Sequence, residues 1–155
     1  MNRFSKVWAL PGRDKWLLAQ SLIVLPANAL ALRVMSFKRW QAILSRLAEF
    51  DGKRSQATVE VLLASANRTA SLVRAAAAYG PYRGNCLSQS LTVWWLLRCQ
   101  DLESQIRFGA RKENHKLEAH AWVEFHDIAL TDGHGIDCRY APFERLMTPG
   151  EVATR

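Results

Sequence analysis

The chain has 155 residues, of which 49% are hydrophobic and six are tryptophan, with three cysteines and a formal net charge of +7. A chain of that length buries about two-thirds of the surface its unfolded form exposes, so a single domain over 1–155 with its own core is expected rather than a disordered tail. Wide, irregular cysteine spacing argues against a disulfide framework or a zinc knuckle and fits a reducing, cytoplasmic setting.

The basic surplus lies upstream. Met1 to Phe50 hold eight basic against two acidic residues, whereas Asp101 to Arg155 hold seven against ten. Without aromatic-basic interleaving or a nucleic-acid motif, that surplus does not point to nucleic acid. Met1 to Asp14 contain Pro11-Gly12 and read as a lead-in. Trp16 to Leu32 carry no charge but are interrupted by Gln20, Pro26 and Asn28. A membrane span needs about 20 predominantly apolar residues. A kinked core helix is therefore expected here, a membrane-surface helix is the alternative, and a signal peptide fits poorly with so long a charged lead-in. Ser36 is placed to cap a second helix, striped by Trp40, Ile43, Leu44 and Leu47 and ended by Asp51-Gly52, with Lys38, Arg39 and Arg46 on its wet side. A third helix is expected from Gln56 to Ala78, carrying Val59, Leu62, Leu63, Ala66, Ala70 and Val73 at the same period. Tyr79 to Gly84 break the pattern, dividing a helical N-terminal region (1–80) from the segment (81–155) that holds the chemistry.

Asn85 reads as an N-cap, which puts Cys86 in the first turn of the helix it opens, where the dipole and the spare N–H groups favour a thiolate. Leu87, Leu91, Trp94, Trp95, Leu96 and Leu97 surround that helix, as on a central, buried one. Ser104 to Arg111 reads as a strand, Lys112 to Lys116 as a polar turn, Glu118 to Phe125 as an alternating strand, and Ile128 to Gly133 as its hairpin partner. Gly133-His134-Gly135 is a loop, and a last short element is expected within Tyr140 to Met147. The whole predicts an α+β fold, a buried Cys-bearing helix packed on a small antiparallel sheet.

A helix-borne cysteine, a strand-borne His120 and an acid, Asp132, on the next strand supply a nucleophile, its base and the base's orienter. The Cys86 N–H suits one half of an oxyanion hole, with Asn85, Gln89 or Trp122 as the other donor. Alternation puts His120, Trp122 and Glu124 on one strand face, so that Trp122 either walls the site or is an ordinary core aromatic, while Glu124 reads as a solvated carboxylate. Cys99 and Cys138 read as small core hydrophobes, and His115, His126 and His134 as solvated turn residues; Cys86, His134 and Cys138 match no compact metal-ligand spacing. For Asp132 to share a face with His120, the hairpin needs an odd loop, such as Phe125 to Asp127, or a bulge.

Cys86-Leu87, Ser90-Leu91, Leu96-Leu97-Arg98, Ile106-Arg107-Phe108-Gly109, His120-Ala121-Trp122-Val123-Glu124 and Thr131-Asp132 together resemble the transglutaminase-like leader peptidases of lasso-peptide biosynthesis, in particular the stand-alone protease half of the split B protein. Gln89 stands where a basic residue is more usual in that family. The resemblance implies a transglutaminase-like, papain-like cysteine protease core with a Cys86-His120-Asp132 triad and no cofactor or metal. It also implies a ribosomal precursor peptide as substrate, a separate leader-recognition protein, and an ATP-dependent macrolactam cyclase acting next. The same fold serves amide transfer in transglutaminases and arylamine acetyltransferases, so an acyl transferase is the alternative enzyme and a peptide-binding pseudo-enzyme the non-catalytic one.

Overall fold

In the computed structural model, residues 10–48, 57–113, 116–130 and 140–142 are described. Four helices precede the sheet: α1 (Gly12–Val34), α2 (Phe37–Leu47), α3 (Val59–Tyr79) and α4 (Cys86–Arg98). The strands are β1 (Gln105–Glu113), β2 (Lys116–Phe125), β3 (Ile128–Ala129) and β4 (Ala141–Pro142), antiparallel in the order β3-β2-β1-β4. The α+β expectation is met.

α4 is the hub, packing against all three other helices and both long strands. Leu91, Val93, Leu96 and Leu97 are sealed from solvent and join Leu25 of α1, Leu44 of α2, Ala66, Ala70 and Val73 of α3, and Ile106, Val123 and Phe125 of the sheet in one core. The small residues of α3 at that seam let two helix backbones approach closely. α4 ends in a Schellman motif: Leu102 N–H donates to Leu97 O at 3.0 Å, Asp101 N–H donates to Arg98 O at 3.1 Å, and Asp101 takes φ 55° where glycine is usual.

α1 is buried on one side alone, which narrows the expected core helix. It runs unbroken through Pro26, although a proline leaves the carbonyl of Leu22 without its intrahelical donor. Its buried side is a narrow stripe of Asp14, Leu17, Ser21, Leu25 and Asn28, so of the residues that looked like interruptions Asn28 is part of its packing face. Those polar groups are satisfied. Asp14 Oδ2 accepts from Arg68 Nη2 at 2.6 Å, Ser21 donates to Leu17 O at 2.7 Å, and Asn28 donates to Thr92 Oγ1 at 2.9 Å while accepting from Trp40 Nε1 at 2.8 Å.

α2 starts after Ser36, as expected, but no side-chain bond from Ser36 caps it, and its last residue is Leu47; Asp51-Gly52, the expected stop, lies outside the described residues. α3 begins at Val59, which is 52% exposed rather than part of a buried stripe. Between α3 and α4 the chain presses on both α1 and α4: a Cβ on Gly84 would sit 2.8 Å from Ser88 Oγ and 3.0 Å from Leu25 Cδ2. Only a residue without a side chain fits there, and the approach holds the next residues, Asn85 and Cys86, against the core.

Candidate active site

Asn85 caps α4 with its side chain: Oδ1 accepts from the Ser88 N–H at 2.8 Å, and the Asn85 carbonyl accepts the first intrahelical bond from Gln89 N–H at 3.0 Å. Cys86 is thereby fixed as the first helical residue, and its thiol is free and half-buried. A helix start leaves four N–H groups without intrahelical partners. The cap takes that of Ser88, which leaves those of Cys86 and Leu87 without an intrahelical partner in the turn that carries the thiol.

The turn is braced from within. Ser88 Oγ donates to Asn85 O at 3.0 Å, Thr92 Oγ1 donates to Ser88 O at 2.7 Å, and Thr92 in turn accepts from Asn28. Gln89 lies one turn past Cys86, and its Nε2 donates to Gly84 O at 2.7 Å, tying the incoming loop to the helix. That amide is engaged in holding the loop. Beside it an open cleft of about 440 Å³ is lined by Arg74, Ala77, Ala78, Arg83 and Gln89.

Ser90 Oγ donates to the carbonyl of Ala121, next to His120, at 2.9 Å. Carbonyls two residues apart on a strand point the same way, and that of Val123 accepts from Leu130 N–H in the hairpin at 2.9 Å. The Ala121 carbonyl therefore points to the same edge of β2, beyond the end of β3, and the first turns of α4 sit along that edge. The structure thus brings the cysteine-bearing turn alongside the histidine-bearing strand. A thiol–imidazole hydrogen bond is not among the contacts joining them within the described residues; in apo sites such bonds are often long.

His120 lies opposite Gly109 of β1, where no side chain competes for the space beside the ring. The Tyr140 ring stacks on the imidazole at 5.0 Å and 24°, and the Trp122 ring at 6.5 Å and 16°. Trp122 is completely buried but stands apart from the helical core, so it walls the histidine rather than filling the core. Its indole N–H donates to Glu124 Oε1 at 2.8 Å, and Arg107 Nε donates to the other carboxylate oxygen at 2.8 Å. Trp122 is therefore committed as a wall and not as an oxyanion donor, and Glu124 is a paired, largely covered carboxylate instead of a solvated one. Tyr140 was invisible to the sequence as a site residue because its contact with His120 depends on β4 pairing with β1.

The β2-β3 hairpin also corrects an expectation. Phe125 pairs with Ile128, so the loop has two residues, His126 and Asp127, both at positive φ (48° and 60°) as in a type I′ turn. The odd loop is not used. A regular continuation of this register would set Asp132 opposite Ala121, on the face away from His120, so an extra residue beyond Leu130 is needed to turn it back. Asp132 itself, with His115, His134 and Cys138, lies outside the described residues. Cys99, expected in the core, is exposed at the end of α4. Desolvation of its thiol nevertheless raises its pKa, Arg98 pulling against the rise and Asp101 adding to it, so it is poorly suited to be a nucleophile.

A family model of the transglutaminase-like superfamily matches residues 27–148, from the middle of α1 to beyond β4. No curated protein and no solved structure matches the chain.

Proposed function

Because the chain belongs to the transglutaminase-like superfamily, which includes cysteine peptidases and transferases, we propose that it is a cysteine peptidase that removes the leader from a ribosomally made lasso-peptide precursor. The observation that carries this reading is Cys86 at the capped start of α4, in a turn whose N–H groups have no intrahelical partners, with the His120 strand bonded one turn further on. In the proposed reaction the Cys86 sulfur attacks the scissile carbonyl and its proton passes to His120. Collapse of the tetrahedral intermediate gives a thioester, and His120 hands the proton to the departing amine. Water, deprotonated by His120, then releases the leader acid and restores the thiol. The Cys86 and Leu87 N–H groups hold the oxyanion in both steps. Asp132 orients the imidazole as the third member of the triad.

The freed N-terminus of the core peptide is then the amine that an ATP-dependent macrolactam cyclase would acylate. A separate leader-binding protein delivers the precursor, docking on the basic N-terminal region around Arg13, Lys15, Arg33, Lys38 and Arg39. Tethering of this kind raises effective substrate concentration to about the millimolar range. The test is cleavage of precursor at low micromolar concentration, with and without the leader-binding protein, read by mass spectrometry. Leader acid plus free core, formed much faster with the partner, is expected. Equal rates would contradict the role of the partner, and transfer of the leader acyl group to an added amine in preference to water would make the protein a transferase.

A further inference from the structure

α1 buries its polar-bearing stripe and turns an apolar one outward. Trp16, Ile23, Leu30 and Val34 are 65%, 71%, 64% and 77% exposed, and with Ala19 and Ala27 between them they form one continuous line along the helix, about 27 Å long. Lys15 and Arg33 lie about 90° round the helix from that line, and Arg13 flanks its other side. All six cations between residues 10 and 48 are exposed, while Asp14, the acid in that span, is buried against Arg68. α1 is long and apolar enough to cross a bilayer by length and composition, yet Asp14, Ser21 and Asn28 bind it to α3, α4 and its own backbone along its whole inner side. Its place is on a surface, not through one.

We propose that α1 is an interfacial helix that seats the protein on an anionic phospholipid bilayer. Trp16, Ile23, Leu30 and Val34 enter the acyl region, and Lys15 and Arg33 lie at the headgroup phosphates, while Arg13 is held to the protein body by its bond to Gln100 Oε1 at 3.0 Å. A tryptophan at one end of the stripe suits that boundary, since its ring is amphipathic. The charge pattern selects this occupant over a second copy of the chain. Two such stripes packed antiparallel would bring Lys15 of one helix against Arg33 of the other, like charge on like, whereas anionic headgroups neutralise both cations. No residue of the stripe belongs to the catalytic site, so the inference stands apart from the cleavage chemistry; Lys15 and Arg33 are shared with the proposed dock of the leader-binding protein, and the Ile23→Asp/Leu30→Asp variant, which spares them, separates the two.

The full chain is spun with vesicles of phosphatidylcholine alone and of phosphatidylcholine with phosphatidylglycerol. Sedimentation with the anionic vesicles is expected, reduced in about 0.5 M salt and lowered about ten-fold or more in Ile23→Asp/Leu30→Asp, with Lys15→Glu/Arg33→Glu impaired as well. Circular dichroism should be unchanged, since these side chains are exposed. The proposal fails if the chain stays in the supernatant with both vesicles, or if the aspartate variant binds like the parent. It also fails if sedimentation equilibrium shows a dimer that the aspartate substitutions dissolve.

Discussion

α1 and α4 are both rich in apolar residues, yet they are used in opposite ways. α4 is apolar round most of its circumference and is largely enclosed from Ser90 to Leu97, with half-buried Cys86 in its first turn. α1 presents part of its apolar surface outward, and what fixes its orientation is a line of polar residues, of which Asp14 and Asn28 have specific partners on other helices. Burial thus follows where hydrogen bonds can be completed as much as where carbon is plentiful: a buried polar group is costly unless paired, so it dictates register, while an apolar group tolerates several surroundings.

The largest effect on this contrast should come from Asn28→Ala. It removes the bond to Thr92 and strands the Trp40 indole N–H, so stability should fall by about 2–3 kcal/mol, read as a shift in urea midpoint. Because Thr92 braces Ser88 and, through it, the Asn85 cap, the loss should be accompanied by a lower rate of Cys86 alkylation or turnover; Ser21→Ala, whose bond is to its own helix, should leave the site alone. Asp14→Ala comes next. Its partner Arg68 is half-exposed, with side-chain accessibilities of 48% and 11% for the pair, so about 1 kcal/mol is expected, and less at high salt. The smallest change sharpens the other helix: Asp101→Gly relieves a left-handed backbone at the end of α4 and should raise stability by about 0.5–1 kcal/mol, visible as a higher melting temperature with unchanged turnover.

The sequence was most informative where chemistry and local pattern coincide. Asn85 as a cap, Cys86 in the first turn and the enclosed α4 follow from residue types within a few positions of each other, and so does the alternation of His120, Trp122 and Glu124. Features set by pairing between distant segments were not legible. The type I′ turn uses His126-Asp127 and not the Asn-Gly signature that announces such turns, so the choice between an odd loop and a two-residue one was not legible. Trp122 as a wall depends on Arg107 and Glu124 crossing from strand to strand, and Tyr140 beside His120 depends on β4 finding β1. For α1, counting apolar residues gave the helix but not its facing, because Asp14 and Asn28 reveal their direction only through Arg68, Thr92 and Trp40.

The most direct test of the account is turnover of a precursor peptide by three variants: Cys86→Ala, Cys86→Ser and Cys99→Ala. Cys86→Ala should keep the fold and lose cleavage altogether, and Cys86→Ser should lose it nearly as far. Cys99→Ala should cleave at the parental rate. Near-normal turnover by Cys86→Ala, with its fold intact, would contradict the nucleophile on which the whole reading rests.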